Sequence, residues 1–470
     1  MEESRKKIYL NDEKPLIELP GLILFFIIIF SFLLGLSLLV MPWYIPLALV
    51  LMVGIIAGIF INPYLGVVIF IAGAFLHPTQ YITALRDFHL AITLAIMVSL
   101  TLGFHTLVYR DLKFVKAPQN VLIIILGGLY FLSSLRYPDY SLSFFLEFIP
   151  KILIVYFLII LLVKTRTQAV FLFWVLFALA IIVSIAAIIQ HKMGLGLYYR
   201  IEGITRVSGT EVDPNFFAIQ LVMLVPILLY LFLAKRNLLI RALLLFGLGL
   251  LLLAVVFTYS RTGMLALLFS LAIFVVKPVF SKQKNWIPLI CAILAIIMFL
   301  PFIPQKYWER VKTITDFEDP AIRARLDTWR IGAEIITENP IIGIGYGAFK
   351  FEYGERAASS PYVDTKAYLV AHNSYVELGA ESGLLALLVF FALIIYTFNY
   401  LKKARENFII QRDYYLYHLT CALENSFYVF LIGAFFLSIM HLMILWIVLG
   451  LAVVMKNVSD HNNAEFMANL

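Results

Sequence analysis

The residues best placed to do chemistry are one histidine and a few arginines at the edges of long apolar runs. His372 lies in Ala371-His372-Asn373-Ser374-Tyr375-Val376-Glu377, just ahead of such a run. Ser374 and Glu377 have the S-x-x-E spacing of a capping box, which predicts a helix N-terminus at Ser374 with His372 immediately outside it. Helix N-termini attract anions and favour the neutral form of a nearby imidazole. A neutral His372 could then serve as a general base. Arg261, in Tyr259-Ser260-Arg261-Thr262-Gly263, is the only charged residue from Ala242 to Val276. A guanidinium so close to hydrocarbon is a functional candidate by default, and it could grip a phosphate with two parallel hydrogen bonds. Arg206 precedes Asp213-Pro214-Asn215, where Asp213 suits an N-cap and Pro214 the first helical position. Arg86 stands in Thr83-Ala84-Leu85-Arg86-Asp87.

Each of these also has a plain structural role open to it. His372 can cap or pack at a boundary, and Arg261 can snorkel from a short turn. Arg206 can be solvated in its loop, and Arg86 can pair with Asp87. Arg323, Arg325 and Arg330 read as the solvated face of an amphipathic helix. Gly343-Ile344-Gly345-Tyr346-Gly347 lacks the strand and helix that a nucleotide loop needs. It also lacks the residues flanking a potassium filter, so it reads as a turn built on glycines. No His, Asp or Glu cluster has zinc spacing. Cys291 and Cys421 give neither a metal pattern nor a disulfide framework.

The elements that must position these groups are membrane helices. The chain is 62% hydrophobic and 14% charged, against about 45–50% and about 25% in soluble domains. Its apolar runs are continuous and reach the ~20 residues a spanning helix needs, whereas a barrel would show alternating segments of about 10 residues. The expected spans lie near 21–40, 45–62, 64–77, 89–109, 119–135, 147–163, 169–190, 214–234, 242–259, 264–280, 287–303, 374–400, 414–436 and 438–455. Spans two and three are short enough to form a broken or re-entrant unit, which gives 12 to 14 helices in all. Residues 1–19 are polar, and the run after them is longer than a signal segment, so it reads as a retained first helix.

Basic residues set the orientation. With both termini inside, the inner loops hold Lys6, Lys113, Lys164, Arg166, Lys235, Arg236, Lys282, Lys402 and Arg412. This divides the chain into a cytoplasmic segment 1–19, membrane helices over 20–303, a long outer loop 304–371, C-terminal membrane helices 372–456, and a cytoplasmic tail 457–470. The long loop predicts an amphipathic helix from Ile322 to Thr337. Leu326, Trp329, Ile331 and Ile335 or Ile336 lie on one side, and the helix ends at Asn339-Pro340.

The order of motifs resembles the O-antigen ligase and O-antigen polymerase superfamily. Ser260-Arg261-Thr262-Gly263 opens a helix, followed by Asn339-Pro340-Ile341-Ile342-Gly343-Ile344-Gly345. Then come His372-Asn373-Ser374-Tyr375-Val376-Glu377 and Glu381-Ser382-Gly383-Leu384. The resemblance is strongest from Arg206 to Leu388. It implies an all-α polytopic protein of the bacterial inner membrane, with its active site on the periplasmic side. It also implies a metal-independent glycosyltransferase that needs no cofactor. The donor would be a glycan on polyprenyl (undecaprenyl) diphosphate. The acceptor would be lipid A-core for a ligase, or a second lipid-linked glycan for a polymerase. His372 would be the base, and Arg261, Arg206 and Arg86 would hold the diphosphate, with Asn373, Ser374, Glu377 and Ser260 in support. Membrane lipid is the only other partner implied, and no nucleic acid is. A transporter would instead place charges at mid-membrane on broken helices; Lys151 and Glu424 are the residues that could fit.

Overall fold

The computed structural model describes residues 44–77, 90–109, 115–195, 197–199, 204–279, 303–312, 319–359 and 368–468. Arg86, the expected span near 21–40, and that near 287–303 apart from its last residue lie outside the described residues. The first unit, ending at Asn62, contributes one described helix, α1 (Tyr44–Ile61). The second begins with α2 (Pro63–Leu76), α3 (Leu90–Tyr109), α4 (Pro118–Ser134), α5 (Ser143–Leu162) and α6 (Arg166–Lys192). A short antiparallel pair follows, β1 (Leu197–Tyr199) with β2 (Ile204–Arg206). Then come α7 (Pro214–Ala234), α8 (Leu238–Phe257), α9 (Arg261–Val279), α10 (Gln305–Lys312), α11 (Pro320–Glu338) and α12 (Phe349–Ser359). The chain closes with α13 (Ser374–Ile410), α14 (Tyr414–Phe436) and α15 (Met443–Ala468). Among the described residues seven helices are long and apolar enough to cross a membrane, and three shorter ones are apolar. The protein is an all-α, multi-pass membrane protein.

In the second unit α7 is the central helix. It is buried from Phe217 to Leu231 and packs against α14, α8, α9 and α6. Its neighbours bind it through side chains that find backbone acceptors, as polar groups between membrane helices must. Ser426 Oγ on α14 donates to Met223 O at 2.6 Å, and Asn425 Nδ2 donates to Ser270 O on α9 at 3.0 Å. One end of the bundle gathers basic groups. Arg166 pairs with Asp413 at 2.8 Å, and Lys235 sits 4.7 Å above the Tyr415 ring. By the run of the helices, His372, Arg206 and Arg261 lie at the other end.

α13 decides how that other end is built. At 37 residues a straight helix would be about 55 Å long, well beyond a hydrocarbon core of about 30 Å. It breaks at Gly383, which has φ 83° and ψ 170°. The Pro340–Gly345 turn fills the break. Ile344 N–H donates to Ala380 O and Gly345 N–H to Glu381 O, both at 3.0 Å, while Leu384 N–H donates to Pro340 O at 2.8 Å. Ser133 Oγ on α4 also donates to Glu381 O. The carbonyls released by the break are thereby satisfied, as they must be away from water. The turn can enter only because a Cβ on Gly343 would overlap the Glu381 backbone, and one on Gly383 would overlap Ile341 O. The glycine-rich segment is therefore a plug, and its three glycines all have positive φ.

Two local expectations need correction. The cap of α13 is Asn373, whose side chain accepts from Tyr375 N–H at 2.9 Å and Val376 N–H at 3.1 Å. Ser374 is the first helical residue; its Oγ donates to Leu437 O at 2.7 Å and accepts from Ile439 N–H at 2.9 Å. Tertiary demand from the α14–α15 turn outbid the capping box. On α11 the buried stripe is Thr328, Ile331 and Ile335, while Leu326 is 47% exposed. Gly332 on that stripe lets the helix press onto Val376, which rotates Leu326 outward.

The break yields a stability prediction. Gly383→Ala forces a side chain into a positive-φ position, a strain of about 1–3 kcal/mol, and into the Ile341 carbonyl. The purified protein should melt several degrees lower in detergent. Gly128→Ala, in mid-α4 with open space around it, should melt at or above the wild-type temperature, since alanine gains roughly 0.5–1 kcal/mol in a helix. Equal melting of the two variants would contradict the plug.

Candidate functional site

Arg206 is the anchor. Its side chain is buried, with Nε donating to Thr258 O and Nη2 donating to Asn215 Oδ1, each at 2.8 Å. Asn215 Oδ1 also accepts from Ser260 Oγ at 2.8 Å. Asp213 caps α7 by accepting from Asn215 N–H at 2.6 Å. Ser260 in turn accepts from Gly263 N–H at 3.1 Å and so caps α9. One arginine, one asparagine and one serine thus fix β2 and the starts of α7 and α9. A Cβ on Gly263 would stand 2.8 Å from that of Ala218, so glycine is what allows α9 to begin this close to α7. Tyr307 of α10, fully buried, donates to Ser260 O at 3.0 Å and packs on Ile204, Val256 and Tyr259.

Arg261, the next residue, pairs with Asp319 at 2.9 Å, just ahead of α11. α11 then reaches the histidine: Thr328 Oγ1 donates to Ala371 O at 3.0 Å. This bond clamps the segment before α13 to the helix that carries Arg325 one turn earlier. His372 itself has φ 48°, and Tyr259, two residues ahead of Arg261, has φ 51°. Left-handed backbone is uncommon for such residues and persists only where the surroundings enforce it.

The charges of these groups act on one another. The His372 pKa is lowered to about 4, first by burial and then by Arg325, against a smaller upward pull from Asp213. His372 Nδ1 is buried without a hydrogen-bond partner among the described residues. Arg325 is pulled below the ordinary arginine value by burial and by Arg261; Asp319 and Asp213 oppose this, and Arg206 adds to it. An arginine so placed remains charged, because its ordinary value is above about 12. Among the described residues, Arg325 thus interacts with two further guanidinium groups, Arg261 and Arg206, and two carboxylates, Asp319 and Asp213, close to the imidazole of His372.

The structure brings together His372, Arg206, Arg261 and Ser260, with Asn373 and Ser374 holding the histidine's segment. Glu377 reaches back to the Ala371 backbone. Arg325, Asp319, Asn215 and Asp213 also belong to the cluster, and sequence reasoning gave them no role in chemistry. Arg325 was assigned to solvent with Arg323 and Arg330. The available signal was its stripe: Arg325, Thr328, Trp329 and Gly332 follow i, i+3, i+4, i+7, and a glycine there marks the packed side. The transporter candidates are elsewhere. Glu424 pairs with Arg405 at 3.1 Å, and Lys151 lies 5.9 Å above the Phe148 ring.

Comparison with known proteins finds similarity over this part of the chain. Residues 246–391 match the family described as O-Antigen ligase. That stretch holds Ser260, Arg261, Asp319, Arg325, the α13 plug and His372. The chain is also similar to the exopolysaccharide production protein ExoQ of Rhizobium meliloti (strain 1021), with 27% identity over 84 residues. The similarity covers 17% of this chain and 19% of that protein's length. Over residues 246–391, about a third of its length, the chain is thus similar to the O-Antigen ligase family, and it spans less than a fifth of the length of the curated relative it matches.

Proposed function

We propose that the protein is a membrane glycosyltransferase that moves a glycan from a polyprenyl-diphosphate carrier to an acceptor hydroxyl at the outer face of the membrane. In the ligase form the product is O-antigen joined to lipid A-core. The observation that carries this reading is the cluster of His372 with Arg325, Arg261 and Arg206 at one end of an apolar bundle. The opposite end holds Arg166 and Lys235, and positive loops face the cytoplasm, so the cluster faces outward. Arg86 would add a further diphosphate contact.

The chemistry follows from the charges. Neutral His372 takes the proton of the acceptor hydroxyl, and the freed oxygen attacks the anomeric carbon. The bond from that carbon to the phosphate oxygen breaks, and the lipid diphosphate leaves with the electron pair. Arg261 and Arg325 stabilise the negative charge that develops there, in a setting where water is scarce and such contacts are strong. Arginines keep their charge throughout, so they can do the work of a divalent ion. A single displacement inverts the anomeric centre. The resemblance of one segment to a protein named for exopolysaccharide production favours a second reading, in which the acceptor is another lipid-linked glycan and the product a longer polymer. Expression in cells lacking either activity separates the two: a ligase restores capped lipopolysaccharide, and a polymerase restores long chains.

Three results test the mechanism. His372→Ala, normally expressed and inserted, should lose transfer from a diphosphate-linked donor by about 100-fold or more; undiminished transfer would remove His372 from the reaction. Arg261→Lys keeps the charge but not the two-pronged contact, and should lose most of kcat/KM; wild-type turnover would favour a purely structural role in the pair with Asp319. The third is pH dependence. kcat/KM reports the free protein's base, and the folded pKa of His372 is about 4 against an ordinary 6.5. Activity should hold through pH 6 and fall on the acid side near pH 4, whereas a limb at 6.5 would contradict a buried imidazole. Stability carries the same sign: the unfolded chain takes up this proton first, so the His372 contribution erodes as pH drops from 6.5 toward 4.

A further inference from the structure

The outward end of the bundle carries a continuous strip of aromatic rings beside the cluster. It begins at Tyr368, four residues ahead of His372, whose ring is 69% exposed. Tyr368 lies edge-on to Phe351 of α12 at 6.1 Å, and Phe351 lies edge-on to Tyr140 at 4.5 Å. Tyr137, 51% exposed, stacks on Phe351 at 6.5 Å. Inward, Tyr140 stacks on Phe144 of α5 at 5.9 Å, and Phe144 meets Phe148 at 4.7 Å. The last link is His441, 5.6 Å from Phe148 and 5.3 Å from Phe216. Phe216 adjoins Asn215, the partner of Arg206.

Two glycines leave room for two of these rings to lie against the backbone. A Cβ on Gly354 would stand 2.7 Å from the Tyr368 ring, and one on Gly347 would stand 2.5 Å from the Phe144 ring. Two lysines accompany the strip. Lys350 Nζ lies 4.9 Å over Tyr140 and 5.0 Å over Phe351, and Lys151 lies over Phe148. Tyr368 and Tyr137 are exposed, and Phe351, Tyr140, Phe144 and Phe148 are half-buried behind them. Exposed aromatic rings close to ammonium donors suit a pyranose ring, which has C–H groups on its faces and hydroxyls on its rim.

We propose that this strip is a glycan-binding track, on which successive sugars of the lipid-linked donor stack while its diphosphate rests against the arginines. The inference rests on the transfer reading and names where the donor's carbohydrate lies. It also gives a reason for the glycine plug beyond repairing α13, since Gly347 seats Phe144.

The test reads carbohydrate binding alone. The probe is the labelled oligosaccharide released by mild acid from the polyprenyl diphosphate carriers of the same cells. It has no phosphate and cannot be transferred. Its affinity for the purified full-length protein is compared with that for Phe351→Leu and Tyr368→Leu, which keep apolar bulk but lose the flat face. Both variants should weaken binding roughly tenfold while melting within a few degrees of wild type. Undiminished affinity in both, or no binding by the wild-type protein, would overturn the track. A protein that binds the probe through the strip and transfers nothing would overturn the transfer reading instead.

Discussion

Charge beside hydrocarbon must be neutralised or shared, and this constraint shapes the end of the bundle that carries His372. Arg206 meets it with neutral oxygens, those of Thr258 and Asn215. Arg261 meets it with Asp319, a carboxylate brought in by the segment ahead of α11. Arg325 sits among them with its own charge only partly balanced. The sharing ties three helix starts and one strand together, which is the basis for proposing an anion site there. The histidine completes that frame through the Thr328–Ala371 bond.

The break in α13 is the second structural decision, and it serves the first. The turns ahead of the break at Gly383 have Asn373 as cap and Ser374 tied to Leu437 and Ile439. The Pro340–Gly345 plug repays the broken backbone bonds and at the same time places α12. Glu381 Oε1 accepts from Phe349 N–H at 3.1 Å, at the start of that helix.

Much of the fold was legible in the residues because long apolar runs have few alternatives in lipid. The start of α7 at Asp213-Pro214 and the turn character of Gly343–Gly347 were equally readable, since proline and glycine act locally. Position across the bundle was not. The capping box at Ser374 and Glu377 failed because the α14–α15 turn, more than sixty residues away, claims the Ser374 hydroxyl. Arg325 was passed over because periodicity shows which residues share a helix face but not what lies against it. Asn215 was invisible as a hub, because its two partners come from β2 and α9.

The central claim is that the guanidinium cluster receives a lipid diphosphate. The direct measurement is equilibrium binding of polyprenyl diphosphate, without any glycan, to the purified protein. Arg325→Ala is compared with Arg330→Ala, which removes an exposed arginine from the same helix. The account predicts that the first loses about tenfold or more in affinity, consistent with loss of a charge-assisted contact of about 1.5–3 kcal/mol, and that the second binds as wild type does. Equal binding by wild type and both variants would contradict it.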